Sequence, residues 1–319
     1  MNQIIVQQII ILGVLVCTGA VAMHLKLLTE ETNQKLSDII FSVTLPFLVF
    51  TSVASIKISP ALMSNALLVF FCGFAVIFSL YGMSLVSAFL LKLDKENQVV
   101  HSLHTMFGNT IFLGYPLIKG LYGEEGLFYA IIFQLASDIV MWTFGIFLLT
   151  GKKEASLVSH LKSLINPNTI AFAAGLVMMA LSVELPYVLY VSLSSLGQTT
   201  VPLSMVFVGG MLAGINIRKT FSHRYVFGLS FNKMIIAPVF MLVMLYFFNK
   251  LIHFSMTRLA ISVIVMQVAT PAMVTIVILC RNYQRNEIHA TENVYVSTLL
   301  SLVTLPLMYF IVNWFFKII

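Results

Sequence analysis

The chain alternates between long apolar runs and short polar connectors such as KLDKENQ (92–98) and GKKEASLVSHLKS (151–163). A bilayer core of roughly 30 Å needs about 20 apolar residues per helix. The runs have about this length, so the pattern predicts an all-α polytopic membrane protein. We predict ten transmembrane helices, at 3–23, 36–56, 65–91, 98–119, 126–150, 166–184, 189–214, 225–248, 257–280 and 290–316.

Composition supports the same class. Hydrophobic residues make up 59% of the chain, charged residues 9%, and the mean hydropathy is +0.98. A soluble domain carries about 25% charged residues. The net charge of +6 comes from bases scattered singly between apolar runs, without the blocks of like charge that nucleic-acid arms carry. We therefore expect a lipid bilayer and no nucleic acid among the partners.

The basic residues predict an orientation, because lysine and arginine concentrate on cytoplasmic connectors. With an external N-terminus, the outer side keeps only Lys57, Lys119, Lys250, Arg258 and Lys317. The inner connectors then hold Lys26, Lys35, Lys92, Lys95, Lys152, Lys153, Lys162, Arg218, Lys219, Arg224, Lys233, Arg281 and Arg285. The prediction is a multi-pass protein of the cell membrane with both termini outside.

Two pairs of prolines indicate an internal duplication. Pro46 and Pro202 lie in the second and seventh predicted spans, and Pro116 and Pro271 lie in the fourth and ninth at nearly the same offset. Each half then has five spans, so the second half enters the membrane inverted, as in many secondary transporters. The predicted organisation is a first repeat at 1–150, a cytoplasmic connector at 151–165 and an inverted repeat at 166–319.

The fourth predicted span contains residues that disfavour a continuous helix. The stretch FGNTIFLGYPLIKG (107–120) holds Gly108, Asn109, Gly114 and Pro116. Lipid offers no hydrogen-bond partner to backbone N–H and C=O groups. Non-helical backbone is therefore tolerated only inside the protein or beside a water-filled cavity. Either a proline kink is accommodated by packing, or the helix is interrupted at a binding site.

The ninth span favours the binding site, because MQVATPAMVTIV (266–277) carries a matching interruption around Pro271. In an antiparallel pair of interrupted helices, two helix N-termini meet near the midplane and suit an anion. Asn109 and Thr110 would add neutral hydrogen-bond donors. The predicted substrate-binding residues are Gly108, Asn109, Thr110, Gly114, Pro116, Thr270, Pro271 and Ala272.

Three polar side chains inside spans are candidates for ion coupling. Asp138 is the acid placed nearest the centre of a predicted span, and a charge there is costly unless it faces the protein interior. Gln134 lies one turn earlier on the same helix face, and Gln267 lies in the ninth span. These residues either couple transport to H⁺ or Na⁺ or serve as hydrogen-bonded structural groups. We expect no other cofactor.

Signals for an enzyme are absent from the sequence. There is no HExxH, GxSxG or phosphate-binding loop, most of the seven histidines fall in or beside connectors, and the three cysteines have no metal-ligand spacing. The sequence NPNT (166–169) predicts a helix start, with Asn166 as N-cap and Pro167 at the first helical position. We predict neither catalysis nor a metal site.

The stretch GNTIFLGYPLIKGLYGEEG (108–126) resembles the fourth-span signature of the auxin efflux carrier family, which includes plant PIN carriers and bacterial permeases for malate and malonate. LINPNTIAFAAGL (164–176) and LPFLVF (45–50) are similar to other segments of the family. The resemblance implies ten helices in two inverted repeats, with broken helices four and nine crossing at the substrate site and elevator-like alternating access. It assigns the crossover asparagine to Asn109 and the prolines to Pro116 and Pro271.

The chain departs from the PIN carriers after Pro271, where it has Ala272, Met273 and Thr275 in place of Gln-Gly and a second proline. The short connector at 151–165 also favours a compact prokaryotic permease. We therefore expect a secondary transporter of small organic anions such as malate or malonate. The alternatives are a Na⁺- or H⁺-coupled carrier of an auxin-like or bile-acid-like monocarboxylate, and a membrane sensor without flux. Related carriers are often dimers, so a homodimer is among the expected partners.

Overall fold

The computed structural model describes residues 2–57, 59–151, 165–214, 224–251 and 256–318. These residues are helical and contain no β-strand. In chain order the α-helices are α1 Asn2–His24, α2 Glu30–Ile39, α3 Leu45–Ala54, α4 Pro60–Leu90, α5 Lys95–Met106, α6 Tyr115–Val140, α7 Ile146–Thr150, α8 Pro167–Leu181, α9 Tyr187–Gln198, α10 Thr200–Ala213, α11 Arg224–Phe231, α12 Ala237–Leu251, α13 Arg258–Val268, α14 Thr275–Asn282 and α15 Glu287–Ile318.

Six helical runs in the described part of the chain are long and apolar enough to cross a membrane. They are Glu30–Ala54, Pro60–Leu90, Thr110–Thr150, Tyr187–Ala213, Tyr225–Leu251 and Glu287–Ile318. Shorter apolar helices occur at Ile10–His24, Pro167–Leu181 and Arg258–Val268. The all-helical membrane class is confirmed, whereas ten separate spans stay a prediction.

Within the described residues, four segments of π-helix interrupt or join the α-helices: π1 Ile40–Thr44, π2 Thr110–Gly114, π3 Met141–Gly145 and π4 Asn232–Ile236. A proline is the second residue of the helix that follows π1, π2 and π4, namely Pro46, Pro116 and Pro238. Proline lacks an N–H and its ring collides with the carbonyl four residues earlier. A π-turn relieves this conflict because it changes the hydrogen-bond register locally.

The structure corrects the expectation that Gly114 and Pro116 help to interrupt the fourth predicted helix. Gly114 and Pro116 do not interrupt the backbone, because π2 and α6 carry it through both residues in helical conformation. The chain turns instead at Gly123, inside α6, where φ is 70° and ψ is −159°. A side chain rarely adopts a φ of this sign, so a glycine suits this turn.

The start of α8 confirms the predicted cap. The Asn166 side chain accepts hydrogen bonds from the Asn168 and Thr169 backbone N–H groups, and Pro167 occupies the first helical position. The Thr169 hydroxyl in turn accepts from the Asn166 N–H, which completes a capping box. The preceding connector at 151–165 lies almost entirely outside the described residues.

The chain forms two compact units. The first comprises Met1–Ser64, Ile111–Ile131 and Leu164–Ile215. Its core gathers Val16, Ile40, Leu113, Met205, Phe207 and Val208. In this unit α1 packs directly on α10, since a Cβ added at Gly209 would overlap the Val16 carbonyl and one at Gly19 would overlap the Val206 carbonyl.

The second unit comprises Asn65–Thr110, Ile132–Ser163 and Asn216–Ile319. It contains α5, α13, α14 and α15. Both predicted interruptions therefore lie in this unit, except that the part of the fourth predicted span after Thr110 lies in the first unit. The structure does not test the repeat boundaries 1–150 and 166–319, which stay a prediction. Each compact unit draws segments from both sides of the connector.

Candidate functional site

Two helices of the second unit end abruptly inside their apolar runs. Helix α5 ends at Met106, and Phe107 has extended backbone, with φ −115° and ψ 126°. Helix α13 ends at Val268, and helical backbone resumes with α14 at Thr275. The interruptions therefore lie at 107–109 and 269–274. Both fall where the sequence placed polar and helix-breaking residues.

The two interruptions lie side by side and share backbone hydrogen bonding. Gly108 and Ala272 form an isolated antiparallel β-bridge, and the Asn109 N–H donates to the Pro271 carbonyl at 2.7 Å. The Ala272 N–H donates to Ser297 Oγ of α15 at 3.0 Å. Backbone groups that leave a helix inside an apolar protein need such partners. The pairing thus stabilises two stretches of non-helical backbone against each other.

Gly108 permits this close approach. A Cβ at position 108 would overlap Thr270 Oγ1, and it would lie 3.2 Å from the Thr270 carbonyl and 3.3 Å from the Pro271 carbonyl. The close approach of the backbone at Thr270 and Pro271 therefore requires a glycine here. The dihedral angles of Gly108 do not.

Four predicted polar residues surround the paired interruptions, and all are buried: Asn109, Thr110, Gln267 and Thr270. The Thr270 hydroxyl donates to the Gln267 carbonyl at 2.6 Å, which closes the last turn of α13. Buried neutral donors and acceptors of this kind can hydrogen-bond a ligand without holding a fixed charge. The structure thus collects most of the predicted substrate residues, while Gly114 and Pro116 belong to the first unit.

The predicted coupling residues connect to this cluster. The Thr110 hydroxyl donates to Gln134 Oε1, and Gln134 Nε2 donates to Asp138 Oδ1 at 2.7 Å. A hydrogen-bonded chain therefore runs from the interruption to the carboxylate. Spacing along the helix predicted that Gln134 and Asp138 share a face, and the link to Thr110 was not foreseen.

Lys233 is a residue that the sequence analysis assigned wrongly. It was counted among the bases of inner connectors, but it lies within π4, in the apolar run Tyr225–Leu251, and is 1% exposed. Its ammonium donates to the Thr105 carbonyl of α5 at 3.0 Å. A charge in such a position costs roughly 2.5–3.5 kcal/mol on insertion scales. Its position inside the predicted span 225–248 already indicated that it is not a connector residue. Lys233 therefore does not count among the bases that predict the orientation.

Three histidines of the second unit are also buried: His101, His104 and His289. The His101 Nε2 atom lies 2.6 Å from Ser87 Oγ, and the His289 ring packs on Tyr225 with centroids 4.5 Å apart. The sequence analysis gave these side chains no role.

Comparison with known proteins identifies the class of molecule. The model of the family described as membrane transport protein matches residues 4–309. An uncharacterized transporter of Methanothermobacter thermautotrophicus is 25% identical over 301 residues, which cover 92% of this chain and 94% of that protein. An uncharacterized transporter of Methanocaldococcus jannaschii is 27% identical over 210 residues, which cover 63% of this chain and 67% of that protein.

Proposed function

The chain belongs to the membrane transport protein family of auxin efflux carriers, and from this premise we propose that it transports small organic anions, in particular dicarboxylates such as malate and malonate, across the cell membrane. The observation that carries the proposal is the pair of facing interruptions at Gly108–Asn109 and Pro271–Ala272. Secondary transporters bind substrates at discontinuous helices of this kind.

In the proposed site, the anion is held by neutral donors and not by a fixed cation. The Asn109 amide supplies a side-chain donor, and the backbone N–H groups that follow each interruption supply more. The Thr110 and Thr270 hydroxyl protons bond to Gln134 Oε1 and to the Gln267 carbonyl, so each hydroxyl would donate to the substrate only after rotating. Gly108, Pro271 and Ala272 shape the backbone around the substrate. This site would bind a carboxylate through several directed hydrogen bonds, each modest in strength.

We propose alternating access of the elevator type, with ten spans in two inverted repeats and helices four and nine crossing at the substrate. This architecture follows from the family resemblance and from the offset of the prolines. Both termini on the outside and a homodimeric assembly belong to the same proposal.

The second candidate is a carrier coupled to H⁺ or Na⁺ whose substrate is an auxin-like or bile-acid-like monocarboxylate. The hydrogen-bonded chain from Thr110 through Gln134 to Asp138 favours coupling, because protonation of Asp138 would alter the hydrogen bonding of Thr110. Gln267, in the last turn of α13, is a further candidate for the coupling site.

The test is uptake of labelled malate and malonate into proteoliposomes containing the purified protein, with and without an imposed pH gradient. We expect saturable uptake of at least one dicarboxylate. If transport is coupled to H⁺ as in the second candidate, the pH gradient should stimulate uptake and Asp138→Asn should remove that stimulation. Asp38→Asn, on the exposed face of α2, is the matched control. Binding without flux would instead identify a sensor, and uptake restricted to monocarboxylates would favour the second candidate.

A further inference from the structure

The interruption of α5 releases a particular backbone carbonyl. In a continuous α-helix the Thr105 carbonyl would accept the N–H of Asn109, four residues later. That N–H donates instead to the Pro271 carbonyl, whereas the Leu103 carbonyl keeps its helical partner, the N–H of Phe107. The Thr105 carbonyl therefore needs another donor at the buried C-terminal end of α5.

Lys233 supplies that donor. Its Nζ atom lies 3.0 Å from the Thr105 carbonyl oxygen, and the residue is 1% exposed. Among the ion pairs of the described residues, none joins Lys233 to a carboxylate within 4.0 Å. The C-terminal end of a helix carries partial negative charge, so the ammonium faces a helix end and not an acidic side chain.

The surrounding structure fixes Lys233 in this place. The adjacent Asn232, also in π4, donates from Nδ2 to Ser87 Oγ at 3.2 Å, and Ser87 Oγ lies 2.6 Å from the His101 ring. The Thr105 hydroxyl donates to the His101 carbonyl at 2.8 Å. Of two consecutive residues of π4, Lys233 therefore bonds to α5 directly, and Asn232 is linked to α5 through Ser87 of α4.

Carbonyl oxygens at the ends of interrupted helices are ligands for alkali cations in secondary transporters. We propose that Lys233 is a tethered cation in such a place: its ammonium provides the positive charge that Na⁺ would otherwise bring to the Thr105 carbonyl. The inference deepens the proposed function, on which it rests for the transport itself. It implies that anion transport by this protein does not require Na⁺.

The first test measures melting temperature in detergent and needs no transport. The parent should melt at the same temperature in choline chloride and NaCl of equal ionic strength. Lys233→Ala should melt about 5 °C lower in choline chloride and recover with NaCl or n-propylammonium chloride, which replaces the part of the side chain that alanine lacks. Lys233→Met, which fills the space without a charge, should also melt lower but should not recover.

The matched control is Lys250→Ala, an exposed lysine on α12, which should melt as the parent does. A parent stabilised by NaCl relative to choline chloride would overturn the proposal. So would Lys233→Ala that melts as the parent does, or that gains nothing from either cation.

The second test measures anion uptake by the parent protein in choline and in Na⁺ buffers, and it needs no variant to fold. We expect equal rates. A rate that falls at least tenfold without Na⁺ would overturn the tethered-cation proposal and leave the substrate proposal standing. If no organic anion is taken up in either buffer, the proposed function fails, and the melting temperatures still decide the role of Lys233.

Discussion

Single residues have structural requirements that differ in kind. Gly123 is needed because its φ is positive, whereas Gly108 is needed because Thr270 occupies the space where a Cβ would stand. Asn109 contributes its backbone N–H to the Pro271 carbonyl, and its side chain is buried. The local chemistry of glycine, asparagine and proline was enough to predict irregular backbone around Gly108, Asn109 and Pro271.

The Gly108 requirement gives a sharp prediction. Gly108→Ala should lower uptake at least tenfold and reduce the melting temperature, because the new methyl group forces the facing strands apart. The double variant Gly108→Ala with Thr270→Ala should recover part of the melting temperature, since the remaining neighbours of the Cβ lie at 3.2 Å and 3.3 Å.

Gly82→Ala is the control for this change. Position 82 lies in α4, where a Cβ would meet nothing within 4 Å, so alanine there should leave uptake unchanged and stabilise slightly through helix propensity. A Gly108→Ala protein with the melting temperature and uptake of the parent would show that the close approach is not needed.

Lys233 shows what a residue-by-residue reading misses. Its partner Thr105 is 128 residues away in sequence. Charge alone does not distinguish Lys233 from a connector base, whereas its position inside the predicted span 225–248 does. Only the loss of the Asn109 hydrogen bond explains why a cation is useful there. The hydrogen-bonded chain through Gln134 was predictable in part, because the four-residue spacing of Gln134 and Asp138 places both on one face of a helix.

At the scale of helices, the apolar runs and caps predicted most boundaries within a few residues. Helix α8 was predicted at 166–184 and spans Pro167–Leu181, because its N-cap follows from side-chain chemistry. The π-segments were not predicted. Three of them, π1, π2 and π4, lie where the backbone adapts to Pro46, Pro116 and Pro238, and the sequence does not reveal whether a helix will adapt or break.

The packing of α1 on α10 leads to a prediction at this scale. Gly209→Ala should lower the melting temperature by about 5 °C, because the added methyl group overlaps a backbone carbonyl of the facing helix and the two helices must separate. Gly13→Ala on α1 is the control, since a Cβ there meets nothing within 4 Å. Equal melting temperatures for both variants would contradict the backbone contact between these helices.

At the scale of the whole molecule, the class followed from composition alone, because a chain with 9% charged residues cannot cover a globule of this size with polar surface. The division into compact units did not follow. Each unit combines segments from distant parts of the chain, and such groupings depend on contacts that a single sequence does not report. The pairing of the interruptions was partly predictable, because two spans with matching irregular residues indicated that their interruptions meet.

The central claim is that the paired interruptions form the substrate site of an anion transporter. The most direct measurement is the initial rate of dicarboxylate uptake by Asn109→Ala in proteoliposomes, compared with the parent and with Asn313→Ala. Asn313 is a half-buried asparagine whose side chain donates a hydrogen bond within α15, to the Tyr309 carbonyl. We predict that Asn109→Ala loses at least tenfold in rate while Asn313→Ala transports as the parent does. Equal rates for all three proteins, at equal reconstituted amounts, would contradict the claim.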